Sequence, residues 1–126
     1  MREFSITLAN RPGQLAALAR NLADAGVNIE TLAAVANNGE SLLRFMVDDD
    51  AAARHVLDAA GVRYDERPVL DTFLPNQPGS LAALTEQLAH AGVNIDTIYL
   101  LHSNAEGLHF AVTVDDPEAA RASLAG

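Results

Sequence analysis

The sequence has no cysteine and no tryptophan. The first absence excludes disulfides, thiolate metal ligands and cysteine nucleophiles together. Aromatic residues make up only 5% of the 126 positions, against 24 alanines, so any core built here is thin. Positive charge is scarce as well. Eight Lys+Arg face 17 Asp+Glu, for a net charge of −9. Such a surface repels phosphate backbones and anionic headgroups, which argues against nucleic acid and membrane surfaces as partners. No apolar run approaches the roughly 18–20 residues that cross a bilayer. The opening residues Met1 to Thr7 carry no apolar run before a small-residue cleavage site, so the expectation is a cytoplasmic protein without a secretory leader. No Walker loop and no GxGxxG is present, leaving nucleotide phosphates without a cradle. Ser5, Ser41, Ser80, Ser103 and Ser123 fall into no recognisable nucleophile–base constellation.

What the sequence does have is a repeat. Residues 10–32 read NRPGQLAALARNLADAGVNIETL and residues 76–98 read NQPGSLAALTEQLAHAGVNIDTI. At an offset of 66, 15 of these 23 positions are identical. Val47-Asp48-Asp49 then matches Val114-Asp115-Asp116 at an offset of 67, so one residue has been gained or lost in the intervening loop. Two copies of one unit are expected, over residues 1–67 and 68–126.

Each copy parses alike. Phe4-Ser5-Ile6-Thr7-Leu8 alternates as a half-buried strand does, and Val69 to Leu74 is its counterpart. Asn-x-Pro-Gly follows. Leucines then recur at 15, 18 and 22, and at 81, 84 and 88, the spacing of an amphipathic helix, with Pro expected at its first position. Gly26 and Gly92 end these helices. Val27 to Ala36 and Val93 to His102 read as second strands. Asn37-Asn38-Gly39-Glu40 and Ser103 to Gly107 read as hairpin turns, and Leu42 to Val47 and Leu108 to Val114 as third strands. Asp49 and Asp116 stand at N-cap positions of second helices, the latter helix running from Pro117 to the C-terminus. Val62 to Asp65 is a short fourth strand in the first copy. The second copy shows none. One long bent strand is expected to close the first copy and open the second. The fold class is therefore α+β: two ferredoxin-like βαββαβ units with antiparallel sheets, the second lacking its last strand. The missing strand leaves a sheet edge, and a homodimer is the expected cover.

With Asn-x-Pro-Gly-x-Leu, the helix, and Gly-Val-Asn-Ile-(Glu/Asp)-Thr occurring twice over residues 3–125, the chain resembles the ACT domain family. More narrowly, it resembles small proteins of two tandem ACT domains with no catalytic domain attached. That resemblance implies a regulatory module that binds a small molecule, usually an amino acid. Binding falls between paired domains, near the loop joining first strand and first helix. An Asn in that loop and an Asn opening the second strand would touch the ligand, which here implies Asn10 with Asn28 and Asn76 with Asn94.

The residue chemistry suits an amino acid. Helix starts present unpartnered N–H groups and partial positive charge to a carboxylate, at Gly13-Gln14-Leu15 and at Gly79-Ser80-Leu81. Pro12 and Pro78, at the expected first helical positions, are counted with them among the ligand-binding residues, as are Ile29 and Ile95. Asn28 and Asn94, each followed by an isoleucine, Ile29 or Ile95, offer a carbonyl to the ammonium and an amide to the carboxylate. No cofactor, no metal and no titrating group is needed. The copies differ at Arg11/Gln77, Gln14/Ser80 and Leu32/Ile98, the positions that would set one site's specificity apart from the other's. His102 and His109 flank one hairpin and read as an exposed or packed pair rather than metal ligands. Asp48-Asp49-Asp50 reads as a helix start rather than a cation site. The expected function is a non-catalytic, amino-acid-binding regulator of a partner enzyme of amino-acid metabolism. The alternative is an assembly module that binds a protein through its sheet edge.

Overall fold

Alternating Phe4, Ile6 and Leu8 make a strand with one apolar face, and Leu18 and Leu22 give the next segment an apolar helical stripe. In the computed structural model, which describes residues 1–125, these segments are strand β1, Arg2–Ala9, and helix α1, Gln14–Asp24. Strands β2 (Ile29–Asn37) and β3 (Glu40–Val47), helix α2 (Asp50–Ala59) and strand β4 (Tyr64–Pro68) complete a first unit. Its sheet runs β2-β3-β1-β4. Phe4 stacks on Phe45 and meets Tyr64, while Leu22 of α1, Leu57 of α2 and Leu43 of β3 are fully buried between helices and sheet. Burial of each such side chain contributes about 1.5–3 kcal/mol.

The second unit comprises β5 (Leu70–Leu74), α3 (Ser80–His90), β6 (Ile95–Asn104), β7 (Gly107–Val114) and α4 (Pro117–Ala125). Its sheet has three strands in the order β5-β7-β6, over a core of Leu84, Leu88, Phe110 and Val112. Among the described residues it has no counterpart of β4. Contacts divide the chain into Met1–Arg67 and Pro68–Gly126.

The helix ends follow from local chemistry. Val27 N donates to Leu22 O at 2.9 Å and Gly26 N to Ala23 O at 2.9 Å, with Gly26 at φ 78°. That is the left-handed glycine terminus, and α3 repeats it with Val93 to Leu88 and Gly92 to Ala89. Asp49 accepts from Ala52 N at 3.0 Å and Asp116 from Ala119 N at 3.1 Å, so both acids cap helices.

Four expectations need correction. Pro12 and Pro78 do not open helices; they lie in turns, and the helices begin at Gln14 and Ser80 after left-handed Gly13 and Gly79. The second strands begin at Ile29 and Ile95, because Asn28 and Asn94 are held outside the ladders by Asp48 and Asp115. The closing and opening strands are not one strand: Val69 separates β4 from β5, and each joins its own sheet. Finally, the extra residue of the second copy is not in a loop. Ala34 pairs with Leu43 and Val35 with Leu42, whereas Leu100 pairs with Phe110 and His102 with His109. Leu101 is the insertion, absorbed as a β-bulge within β6.

An ion triad ties the first unit's elements together. Glu66 on β4 accepts from Arg54 Nε on α2 at 2.7 Å and from Arg2 Nε on β1 at 2.8 Å. The hydrogen bond from Arg54, reinforced by that from Arg2, holds the Glu66 carboxyl below the usual carboxylate range against the opposing effect of burial.

Candidate functional site: the first strand–helix loop

A chain leaving β1 must reverse direction to lay α1 back over the sheet. Arg11 N donates to Ala9 O at 2.9 Å, Gln14 N to Arg11 O at 3.3 Å, and Gly13 takes φ 91°. A β-carbon at that φ is strained whatever the space around it, so glycine is the residue that makes this turn. Gly13 carries no side chain to cap α1, and Gly79 leaves α3 likewise without a side-chain cap. The second helix of each unit does have an Asp cap. The first helix of each unit therefore starts with amide donors that no side chain satisfies.

In the first unit this start borders a cavity of about 150 Å³ lined by Asn10, Arg11, Gln14, Leu15, Ser41 and neighbouring apolar residues. At about 30 Å³ per water, it holds a compact molecule rather than a nucleotide. Asn10 is fixed from two sides: its N–H donates to Gly39 O at 2.9 Å, and its Oδ1 accepts from Ser41 Oγ at 3.3 Å. Pro12 and Gly13 are exposed beside it, and Leu15 is 38% exposed.

The second loop has the same backbone but different polar bookkeeping. Ser80 is buried, and its hydroxyl donates to Pro75 O at 2.6 Å. Asn76 Nδ2 donates to Asn104 O at 2.8 Å. Gln77 replaces the cation at Arg11. Pro78, Gly79 and Leu81 remain exposed. Two polar side chains of this loop are thus spent on holding it.

Asn28 and Asn94 are exposed, and both make the same contact. Asn28 N donates to Asp48 Oδ1 at 2.9 Å and Asp48 N to Asn28 O at 3.1 Å; Asn94 and Asp115 repeat this at 2.9 and 3.1 Å. Ile29 and Ile95 follow as partly buried core residues. Within one unit, Asn10 and Asn28 do not come together. Ala9 pairs with Glu40 and Ile29 with Val47, at opposite ends of β3. Seven strand residues at about 3.3 Å each separate those ends, roughly 23 Å. Asn76 and Asn94 are divided in the same way.

Sequence reasoning passed over a second feature. Phe73 pairs in register with His109, and His109 with His102, placing three rings side by side across β5, β7 and β6. Adjacent turn chemistry and the two-residue hairpin make the histidine pair legible, but nothing local marks Phe73.

No protein-family model matches the sequence. A probable mitochondrial-processing peptidase subunit alpha-1 of Arabidopsis thaliana is 34% identical over 84 residues, which is 64% of this chain. The chain spans only 15% of the length of that curated relative. Solved structures resemble it over 98% of its length. A Bacteroides thetaiotaomicron protein superposes with a TM-score of 0.88 at 25% identity, over 85% of its own chain. The regulatory subunits of aspartate kinase from Thermus thermophilus and Thermus flavus superpose with TM-scores of 0.71 and 0.69 at 19% and 20% identity, over 87% and 90% of their chains. The class that the fold defines is α+β, with two consecutive ferredoxin-like units. This is the fold that the resemblance to tandem ACT domains implies, and it is shared with those regulatory subunits.

Proposed function

We propose that the chain is a non-catalytic regulator that binds a free amino acid at the loop between β1 and α1. The observation that carries this reading is the uncapped start of α1 with Arg11 and Asn10 on a cavity of about 150 Å³. A carboxylate meets helix-start amides and a guanidinium there. The Asn10 side chain supplies the polar partner that fixes orientation. Gln14 and Leu15 line the wall, and Pro12 and Gly13 form the turn beside it.

The second loop is the weaker copy. Asn76 and Ser80 are engaged with backbone carbonyls, and Gln77 brings no charge. Pro78 and Gly79 there form the turn, and Leu81 lies exposed in the first turn of α3. Asn28 or Asn94 joins a ligand at a strand–helix loop only from outside its own unit, since about 23 Å lies between the two asparagines of a unit. That is the role we assign to a homodimer. Regulatory subunits of aspartate kinase share the fold, and an enzyme of amino-acid metabolism is the partner class we favour. Coupling to it requires that the ligand prefer one of two arrangements. A cytoplasmic setting accords with the cysteine-free sequence.

Two or three charge-assisted hydrogen bonds at about 1.5–3 kcal/mol each are of the size that a dissociation constant of about 1–100 μM requires. Titration calorimetry with L-serine and L-valine tests the assignment. Arg11→Ala should weaken binding at least tenfold, and Gln77→Ala should leave it unchanged. Equal binding by wild type and Arg11→Ala would overturn the assignment.

A further inference from the structure

The helix-free face of the second sheet carries a second cavity, of about 530 Å³, at the end where β6 turns into β7. Phe73, Leu74, His102, Asn104, Leu108 and His109 line it. Its volume lies in the range of small-molecule sites, and its wall is mostly apolar with a few polar groups. Phe73 is the anomaly. The chain has four phenylalanines; three are buried, and this one is 73% exposed. Its ring stacks on His109, with centroids 4.3 Å apart and planes 17° from parallel. The matching row of the first unit is Thr7–Leu42–Val35, with no ring in it. The ring row is thus a departure of the second copy alone.

Hydrogen bonds fix what the two imidazoles offer. Asn104 Oδ1 accepts from the N–H groups of Glu106 at 2.8 Å and Gly107 at 3.0 Å, so its other atom is the amide nitrogen. That Nδ2 donates to His102 Nε2 at 3.1 Å, which leaves neutral His102 with its N–H on Nδ1. Asp71 Oδ1, an acceptor, takes the N–H of His109 Nε2 at 2.8 Å, which leaves neutral His109 with a bare Nδ1 acceptor. In its neutral form each ring thus keeps one nitrogen outside these hydrogen bonds, a donor on His102 and an acceptor on His109, in the row with the exposed Phe73. An edge that carries both an acceptor and a donor on a flat ring is what a nucleobase has. The charge argues for the uncharged form: Asp71 and Glu106 flank the rings, and the chain is at −9, so a phosphate is repelled.

We propose that this face of the second unit binds an uncharged nucleobase or nucleoside, stacked on Phe73 and hydrogen-bonded to His102 and His109. The site is separate from the β1–α1 loop and stands whether or not that loop binds an amino acid. The test is titration of the full chain with adenosine, guanosine, cytidine and uridine at up to millimolar concentration, followed by NMR of the aromatic and imidazole protons. At least one nucleoside should saturate, with ring-current shifts on Phe73 and His109. Phe73→Ala, at a largely exposed position, should weaken binding about tenfold. His102→Phe should weaken it too while keeping a ring in the row. The corresponding 5′-monophosphate should bind more weakly than the nucleoside. No saturable shift with any of the four, or undiminished binding by Phe73→Ala, would overturn the proposal.

Discussion

Glu66 shows how much one side chain can join. Its two oxygens take one arginine each, so β1, α2 and β4 meet at a single carboxylate. Because its folded pKa is lowered, its contribution is fully present above the unfolded value, about 4.3, and is lost as pH falls through the lower folded value. Acid unfolding of wild type should therefore steepen below about pH 4.3. Glu66→Gln should be less stable at neutral pH and approach wild type at the acid end. Chemical denaturation at a series of pH values measures this, and a constant gap between the two proteins would contradict it. Residue chemistry of this local kind was readable in part. Asp49 and Asp116 were legible as caps because an acid before a helix start has one common use. Glu66 was not, because its partners lie 64 and 12 positions away.

Helices and strands followed their periods. Leu18 and Leu22 mark the buried stripe of α1, and Leu84 and Leu88 that of α3, as the i, i+4 spacing requires. Leu22→Ala should cost about 2–5 kcal/mol, since the side chain is fully buried in the close-packed cluster of Phe4, Leu43, Phe45 and Leu57, which relaxes only in part around a gap. Equilibrium urea unfolding reads that loss directly; a cost under 1 kcal/mol would mean that the core collapses around the gap. Boundaries were less legible than elements. Proline favours a first helical position in general, but here the left-handed glycine needed one more turn before Gln14 and Ser80. The bulge at Leu101 was invisible because leucine suits a strand and a loop shift alike; only the pairing of His102 with His109 locates it. Phe73 read as an ordinary strand residue for the same reason, since alternation fixes faces but not what shares them.

At the scale of the whole chain, duplication was written in the sequence and the fold follows it, down to the paired Asn28–Asp48 and Asn94–Asp115 contacts. Divergence after duplication is where function separates. Both units keep an uncapped first-helix start; the first adds Arg11 at its loop, while the second ties its loop down through Asn76 and Ser80 and builds a ring row. The candidate loop was legible through the repeated Asn-x-Pro-Gly, whereas the distance between Asn10 and Asn28 was not, because strand register is a tertiary fact. The most direct test is a thermal-shift screen of the full chain against the twenty amino acids at millimolar concentration. Saturation at 100 times the dissociation constant stabilises the folded state by about 2.7 kcal/mol, several degrees at this size. A rise with one chemical class of amino acid, abolished by Arg11→Ala and kept by Gln77→Ala, is the expected result. A flat screen across all twenty would contradict the claim that this fold senses an amino acid.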